Sequence, residues 1–212
     1  MSLKLYSYWR STCSWRVRIC LALKGIKSEI VPVHLVQDGG MQHKPEYRDV
    51  NPLGQVPTLV DDNHVISQSM AIMEYIEEKF KSQGPPLLPD DFAERAKVRQ
   101  LCETIASGIQ PLQNLSVLQK IGETKVDWAN HWITVGFQAL EKMLTMTAGT
   151  YCVGNNITMA DACLVPQVYN ANRFKVKMED FPIITRINAT LQEHKAFIEA
   201  SPDNQVDCPN KN

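Results

Sequence analysis

Four small polar residues stand consecutively near the start of the chain: Ser11, Thr12, Cys13 and Ser14, within YSYWRSTCSWRVRIC (residues 6–20). A strand-like run precedes them and a helix-like run follows. A helix beginning near Ser14 leaves its first backbone N–H groups unpaired and carries about half a positive charge at that end. With the hydroxyls of Ser11, Thr12 and Ser14 and the thiol of Cys13 around it, such a mouth stabilises an anion. If that anion is the thiolate of a bound molecule, neither a metal nor a histidine is required. Two other readings stand beside this one. Ser14 simply caps the helix, or Cys13 is itself the reactive thiol, its ionisation favoured by the helix end.

Two further stretches bear on the choice. In NPLGQVPTL (residues 51–59), Pro57 sits just before a strand. A cis Val56–Pro57 bond there would turn the N–H and C=O of Val56 outward, toward a peptide laid alongside; an ordinary turn proline is the alternative. In ISQSMAI (residues 66–72), Gln68 and Ser69 open a helix directly after a strand. A mouth with amide and hydroxyl donors holds a carboxylate, or merely caps the helix. Taken together, the three stretches suit a sulfur, a peptide group and a carboxylate, which are parts of glutathione.

The elements that must position these groups are legible from periodicity. Leu3 to Tyr8 alternates as a strand does. From Ser14 to Gly25 there are two apolar stripes, Trp15, Ile19, Ala22 and Leu23 on one side and Val17, Cys20 and Leu21 on the other. A helix apolar on two sides is sandwiched between layers, and Gly25 ends it. Glu29 to His34 reads as a second strand, at an edge because of Pro32. The order β-α-β implies a parallel pair with a right-handed crossover. VPTLVDDNHVISQS (residues 56–69) then gives two strands joined at Asp61-Asp62-Asn63, followed by a helix buried along Ile72, Met73, Ile76 and Phe80. The breakers Gly84, Pro85, Pro86 and Pro89 mark a linker.

Beyond the linker the pattern is helical. One long helix is expected from Phe92 to about Leu118, and another from Val126 to Met146. A third opens at Thr158, with Asp161 completing a capping box. A last one runs from about Phe181 to Ala200, before a polar tail, SPDNQVDCPNKN, expected to fray. The expected domains are 1–82, a linker at 83–90, and a helical 91–212.

Composition excludes several classes. The 22 basic and 23 acidic side chains nearly cancel, so no charge excess draws the chain to nucleic acid or a membrane surface. No apolar run approaches the ~18–20 residues that span a bilayer. The six cysteines show no C-x-x-C and no metal-ligand spacing with the five histidines. Free thiols in a reducing, cytoplasmic setting fit them better than disulfides.

The stretch STCSWRVRICL (residues 11–21) closely resembles the signature of zeta-class glutathione transferases, the maleylacetoacetate isomerase family. The similarity extends through NPLGQVPTL, QSMAIMEYIEE, GIQPLQNLSVL and YCVGNNITMADACLVPQVYNANRFKV, from Leu5 to about Phe197. Two departures are small: Thr12 stands where the family usually has Ser, and Cys20 where it has Ala. The resemblance implies an α+β chain with a thioredoxin-like N-terminal domain and an all-α C-terminal domain.

The resemblance also implies roles. Ser11 would contact the glutathione sulfur, with Cys13 beside it. The junction as a whole (Ser11, Thr12, Cys13, Ser14, Trp15, Arg16) would bind glutathione, together with Gln42, Val56, Pro57, Gln68 and Ser69. Gln110, Asn114, Leu115 and Ser116 would border the site, and Arg173 or Arg10 would meet a small acidic, electrophilic substrate. Judged by residue type alone, Trp15 is a core residue, and Arg16 and Arg18 are ion-paired or solvated. The implied activity is cis–trans isomerisation of maleylacetoacetate in aromatic amino-acid catabolism, with conjugation of small α-halo acids, in a homodimer. Thiol–disulfide chemistry at Cys13, or a non-catalytic module of the same fold, are the competing readings.

Overall fold

The computed structural model describes residues 3–209. The alternation at the start becomes β1 (Leu3–Ser7), with Leu3, Leu5 and Ser7 buried. Helix α1 (Thr12–Lys24) begins earlier than Ser14, because Ser11 adopts the extended backbone of a cap and its side chain accepts from the Ser14 N–H. Gly25 ends the helix in the left-handed conformation, as expected. Strand β2 (Glu29–Pro32) pairs parallel with β1 and lies at the sheet edge. After the short α2 (Pro45–Arg48), strands β3 (Thr58–Asp61) and β4 (His64–Ser67) form an antiparallel hairpin that turns at Asp62 and Asn63. Helix α3 (Ser69–Lys79) follows, burying Ile72, Met73 and Ile76 completely. The sheet order β2-β1-β3-β4, with β3 antiparallel to β1, is the thioredoxin-like arrangement.

The remaining elements are helical. They are α4 (Phe92–Glu103), α5 (Leu115–Ile121), α6 (Lys125–Thr147), α7 (Met159–Arg173), α8 (Pro182–Gln192) and α9 (Lys195–Ala200). The expected long helix from Phe92 to Leu118 does not run through. It widens into a π-turn at Thr104–Ile109, tightens at Gln110–Gln113, and leaves the helical conformation at Asn114. Pro111 accounts for this: it has no N–H to give, and its ring crowds the carbonyl four residues back. At α7 the capping box forms as expected. The Asp161 carboxylate accepts from the N–H groups of Thr158 (2.8 Å) and Cys152 (2.9 Å).

The chain divides into two compact units, one of residues up to Pro85 plus those from Lys195 on, the other Pro86–His194. This corrects the expectation that 91–212 forms one helical domain, and that one helix spans Phe181 to Ala200. The helix breaks between Gln192 and Lys195, where no glycine or proline stands. Its last part, α9, packs on α1 and completes the sandwich that the two apolar stripes of α1 demand. The tail does not fray over its described part. Asp207 accepts from the Trp9 N–H at 2.8 Å, and the Gln205 amide donates to the carbonyls of Glu199 and Ser201. Residues 210–212 of the tail lie outside the described ones.

Arg18 is the clearest departure from expectation. It is neither solvated nor hydrogen-bonded to a carboxylate. It is buried, donating to Ser7 Oγ and to the carbonyls of Tyr8, Trp9 and Ala200. Burial pushes its pKa down to about 9, while the Asp207 charge pulls the other way. None of the six cysteines is in a disulfide. Among the described residues no helix is long and apolar enough to cross a membrane.

Candidate functional site

At the mouth of α1 only two of the four small polar side chains remain accessible. Ser11 and Cys13 are half-buried, whereas Thr12 and Ser14 are buried in the helix. Ser14 therefore neither caps the helix nor lines an open mouth, and its hydroxyl has no partner among the described residues. Ser11 is the accessible hydroxyl at this mouth. Its Oγ accepts from the Ser14 N–H (3.2 Å), which leaves the hydroxyl proton free to donate. A sulfur anion beside Ser11 would meet that O–H and the positive end of α1 together. Trp15 is buried, as its type suggested. Arg10 is half-buried, its guanidinium 5.3 Å from the centre of the Trp9 ring.

The second helix mouth is more elaborate than capping requires. Gln68 precedes α3 with φ 71° and ψ 118°, a conformation that a non-glycine residue adopts only under constraint. Ser69 opens the helix, and its hydroxyl accepts from Arg16 Nη1 at 3.2 Å. Arg16 was expected to be solvated or ion-paired, yet it is only 1% exposed. Its Nε and Nη2 have no partner among the described residues. A buried cation so sparsely paired is costly unless an anion compensates it. The guanidinium and the mouth of α3 thus form one positive locus, suited to a carboxylate.

Val56 precedes β3, whose first residue Thr58 pairs with Tyr6 of β1 and Ser67 of β4, the strands that lead into the two mouths. The Val56–Pro57 peptide is cis. Among the described residues no group pairs with the N–H or C=O of Val56. Gln42 is buried, its Nε2 donating to the Leu35 carbonyl (3.1 Å) and its Oε1 without a partner among the described residues. Its main chain lies against the turn before Val56: a Cβ on Gly54 would come 2.7 Å from the Gln42 carbonyl.

The second unit holds the other expected residues. Gln110, Asn114, Leu115 and Ser116 share the bend that follows the π-turn. Trp128 on α6 fixes this bend by donating from Nε1 to the Leu112 carbonyl at 2.8 Å. Arg173 is exposed at the last position of α7, its guanidinium 5.0 Å from the centre of the Phe174 ring.

A model of the glutathione S-transferase N-terminal domain matches residues 10–79, and one of the glutathione S-transferase C-terminal domain matches residues 110–194. The chain belongs to the glutathione S-transferase family. It is 57% identical over 206 residues to "Probable maleylacetoacetate isomerase 2" of Drosophila melanogaster, covering 97% of this chain and 90% of that one. The crystal structure of maleylacetoacetate isomerase from Anaeromyxobacter dehalogenans 2CP-1, with glutathione bound in its active site, superposes with TM-score 0.88. Identity is 42%, with 98% of both chains covered. A bacterial maleylpyruvate isomerase, a zeta-class glutathione transferase, superposes with TM-score 0.91 at 37% identity, covering 96% and 99%.

For a glutathione transferase of this class the two departures lie away from solvent: Thr12 and Cys20 are both buried. Sequence reasoning missed the residues that hold the Val56 turn. Tyr47 donates to the Gln55 carbonyl (2.6 Å) and lies 2.9 Å from the Thr58 hydroxyl. Asn51 Nδ2 donates to both of these groups, and its Oδ1 accepts from the Leu53 N–H. Burial raises the Tyr47 pKa, which keeps its hydroxyl a donor. The available signal was the Asn51-Pro52 dipeptide, a turn marker whose side chain bonds the following backbone.

Proposed function

We propose that this chain is a glutathione-dependent maleylacetoacetate isomerase with a secondary activity as a transferase toward small α-halo acids. The observation that carries the reading is Ser11: an N-cap hydroxyl, half-exposed, with its proton free to donate at the positive end of α1. A free thiol has a pKa of ~8.5. Lowering it by two units takes ~2.7 kcal/mol of preferential stabilisation of the anion. One charge-assisted hydrogen bond supplies ~1.5–3 kcal/mol, and a helix N-terminus ~0.3–1 kcal/mol. Ser11 and α1 together meet the demand. Ser11 donates; its hydroxyl is far too weak a base to remove the thiol proton.

Glutathione is read as held by the Val56 backbone at its peptide, by Gln68, Ser69 and Arg16 at its γ-glutamyl carboxylate, and by Gln42. Gln110, Asn114, Leu115 and Ser116 of the second unit are read, from the family resemblance, as substrate-side residues. The thiolate adds to the cis double bond conjugated to a carbonyl, forming a C–S bond while the π pair moves onto the carbonyl oxygen as an enolate. Rotation about the resulting single bond follows. The enolate then re-forms the double bond in the trans arrangement and expels the thiolate, so glutathione is regenerated. Arg173 or Arg10 supplies the cation that the enolate and the substrate carboxylates need. The names of the relatives and the fit of the three anion- and peptide-binding groups support this reading. A homodimer in the cytoplasm is expected with it.

The test is a glutathione-dependent assay on maleylacetoacetate, with the trans product followed and glutathione recovered undiminished. Ser11→Ala should lower the rate at least about a hundredfold, and the ultraviolet absorbance of bound thiolate should disappear at neutral pH. Cys13→Ala should retain most activity. Cys13 is half-exposed at the start of α1, which is what a thiol–disulfide enzyme would need. If Cys13→Ala abolishes activity and Ser11→Ala does not, that second mechanism replaces the first.

A further inference from the structure

One side chain near the site does work that neither its position in the fold nor the proposed reaction explains. His34 follows β2, and its ring packs edge-on against Tyr8 at 5.0 Å. Its Nδ1 accepts from two backbone N–H groups, those of Gln37 (3.0 Å) and Val36 (3.3 Å). Two donors converging on Nδ1 leave it no proton of its own, so the neutral ring carries its proton on Nε2. The main chain of the same residue closes the loop. The Met41 N–H donates to the His34 carbonyl at 2.8 Å, and the His34 N–H meets Met41 Sδ at 3.3 Å.

Everything this clasp encloses leads to Gln42. The carbonyl of Leu35, next to His34, accepts from Gln42 Nε2. Gly40, with φ 94°, passes so close that a Cβ there would lie 2.6 Å from the Gln42 amide. The turn at residues 36–40 therefore determines where the Gln42 side chain points. We propose that His34 is a positioning residue for Gln42. Its Nδ1, as the acceptor of two backbone N–H groups, holds the turn that aims Gln42 at glutathione. The proposal rests on Gln42 contacting glutathione, as read above.

Without that acceptor both bonds are lost. Val36 and Gln37 are exposed, so their N–H groups turn to water at little cost to the fold. The consequence is weaker ligand binding with little loss of stability. The Nε2 of His43 lies 3.2 Å from Gln42 Nε2, making it the competing hold on the Gln42 amide.

Calorimetry with S-methylglutathione at neutral pH reads this hold, because its sulfur has no proton to lose. His34→Ala should bind about five- to tenfold more weakly than wild type. His34→Asn, whose side-chain carbonyl accepts from the N–H two residues on, should restore wild-type affinity. His34→Phe keeps a ring against Tyr8 but offers no acceptor, and should bind as weakly as His34→Ala. Wild-type affinity in His34→Ala or His34→Phe, or no restoration in His34→Asn, overturns the proposal. Should His34→Ala fail to fold, His34→Phe against His34→Asn decides alone. Failure of wild type to bind glutathione itself would instead overturn the functional reading.

Discussion

Arg16 Nη1 stands 3.2 Å from the hydroxyl of Ser69, a bond that ties the fifth residue of α1 to the first of α3. Each helix mouth faces an anion in the proposed complex, and this bond links the two. Ser69→Ala removes the one hydrogen bond that the buried Arg16 guanidinium makes among the described residues. The unfolding free energy in urea should drop by about 1–3 kcal/mol. Arg16→Met should bind glutathione at least about tenfold more weakly. Unchanged affinity in Arg16→Met would refute the placement of the carboxylate.

Asp161 is fully buried, and burial raises its pKa while its bonds to Thr158 and Cys152 oppose the rise. Replacing it with alanine leaves two buried N–H groups unpaired at the start of α7. Asp161→Ala should lose about 2–4 kcal/mol in chemical denaturation. Asp161→Asn keeps one acceptor oxygen and should lose less. Equal stability of Asp161→Ala and wild type would show that water replaces the capping box.

Acid should weaken the first unit. Asp61 on β3 is held below its ordinary pKa of 3.8, chiefly by its bond to Lys79 and further by Tyr75, with burial opposing. The folded state therefore binds fewer protons than the unfolded chain just below that value. The stabilisation is present above 3.8 and is lost as the pH falls through the lower folded value. The urea midpoint of wild type should fall between about pH 5 and pH 2. Asp61→Asn, less stable at neutral pH, should show a shallower fall. Parallel acid limbs for the two proteins would count against the pair.

A chain ending at Ala200 should be less stable than the full chain, by about 1–3 kcal/mol. It loses the Asp207 acceptor of the Trp9 N–H and the charge that partly offsets the burial of Arg18. Asp207→Asn tests the charge alone and should give a smaller loss. A truncated chain as stable as the intact one would restore the view of this segment as a passive tail.

Local pattern in the sequence was enough to determine the strands, α1 with its glycine stop, the hairpin at Asp62 and the capping box at Thr158. The helix stop, the hairpin turn and the capping box depend on contacts a few residues apart. The strands are marked by local alternation, although β1 pairs with partners far along the chain. The three groups proposed to face glutathione were legible for the same reason, since helix mouths and an X–Pro step are short-range features. The family resemblance supplied the role of Gln42, which no local pattern marks. What the tertiary structure decided are the partners of buried charges. Arg16 and Arg18 sit two apart on a helix that, by type alone, would show both to water, yet one meets Ser69 and the other Ala200. The same holds for α9 and the tail, which pack against α1 from the far end of the chain. A side chain's type sets which bonds it can make, but only the packed chain sets which atoms come within about 3 Å of it, and that is where hydrogen-bond energy is gained or lost.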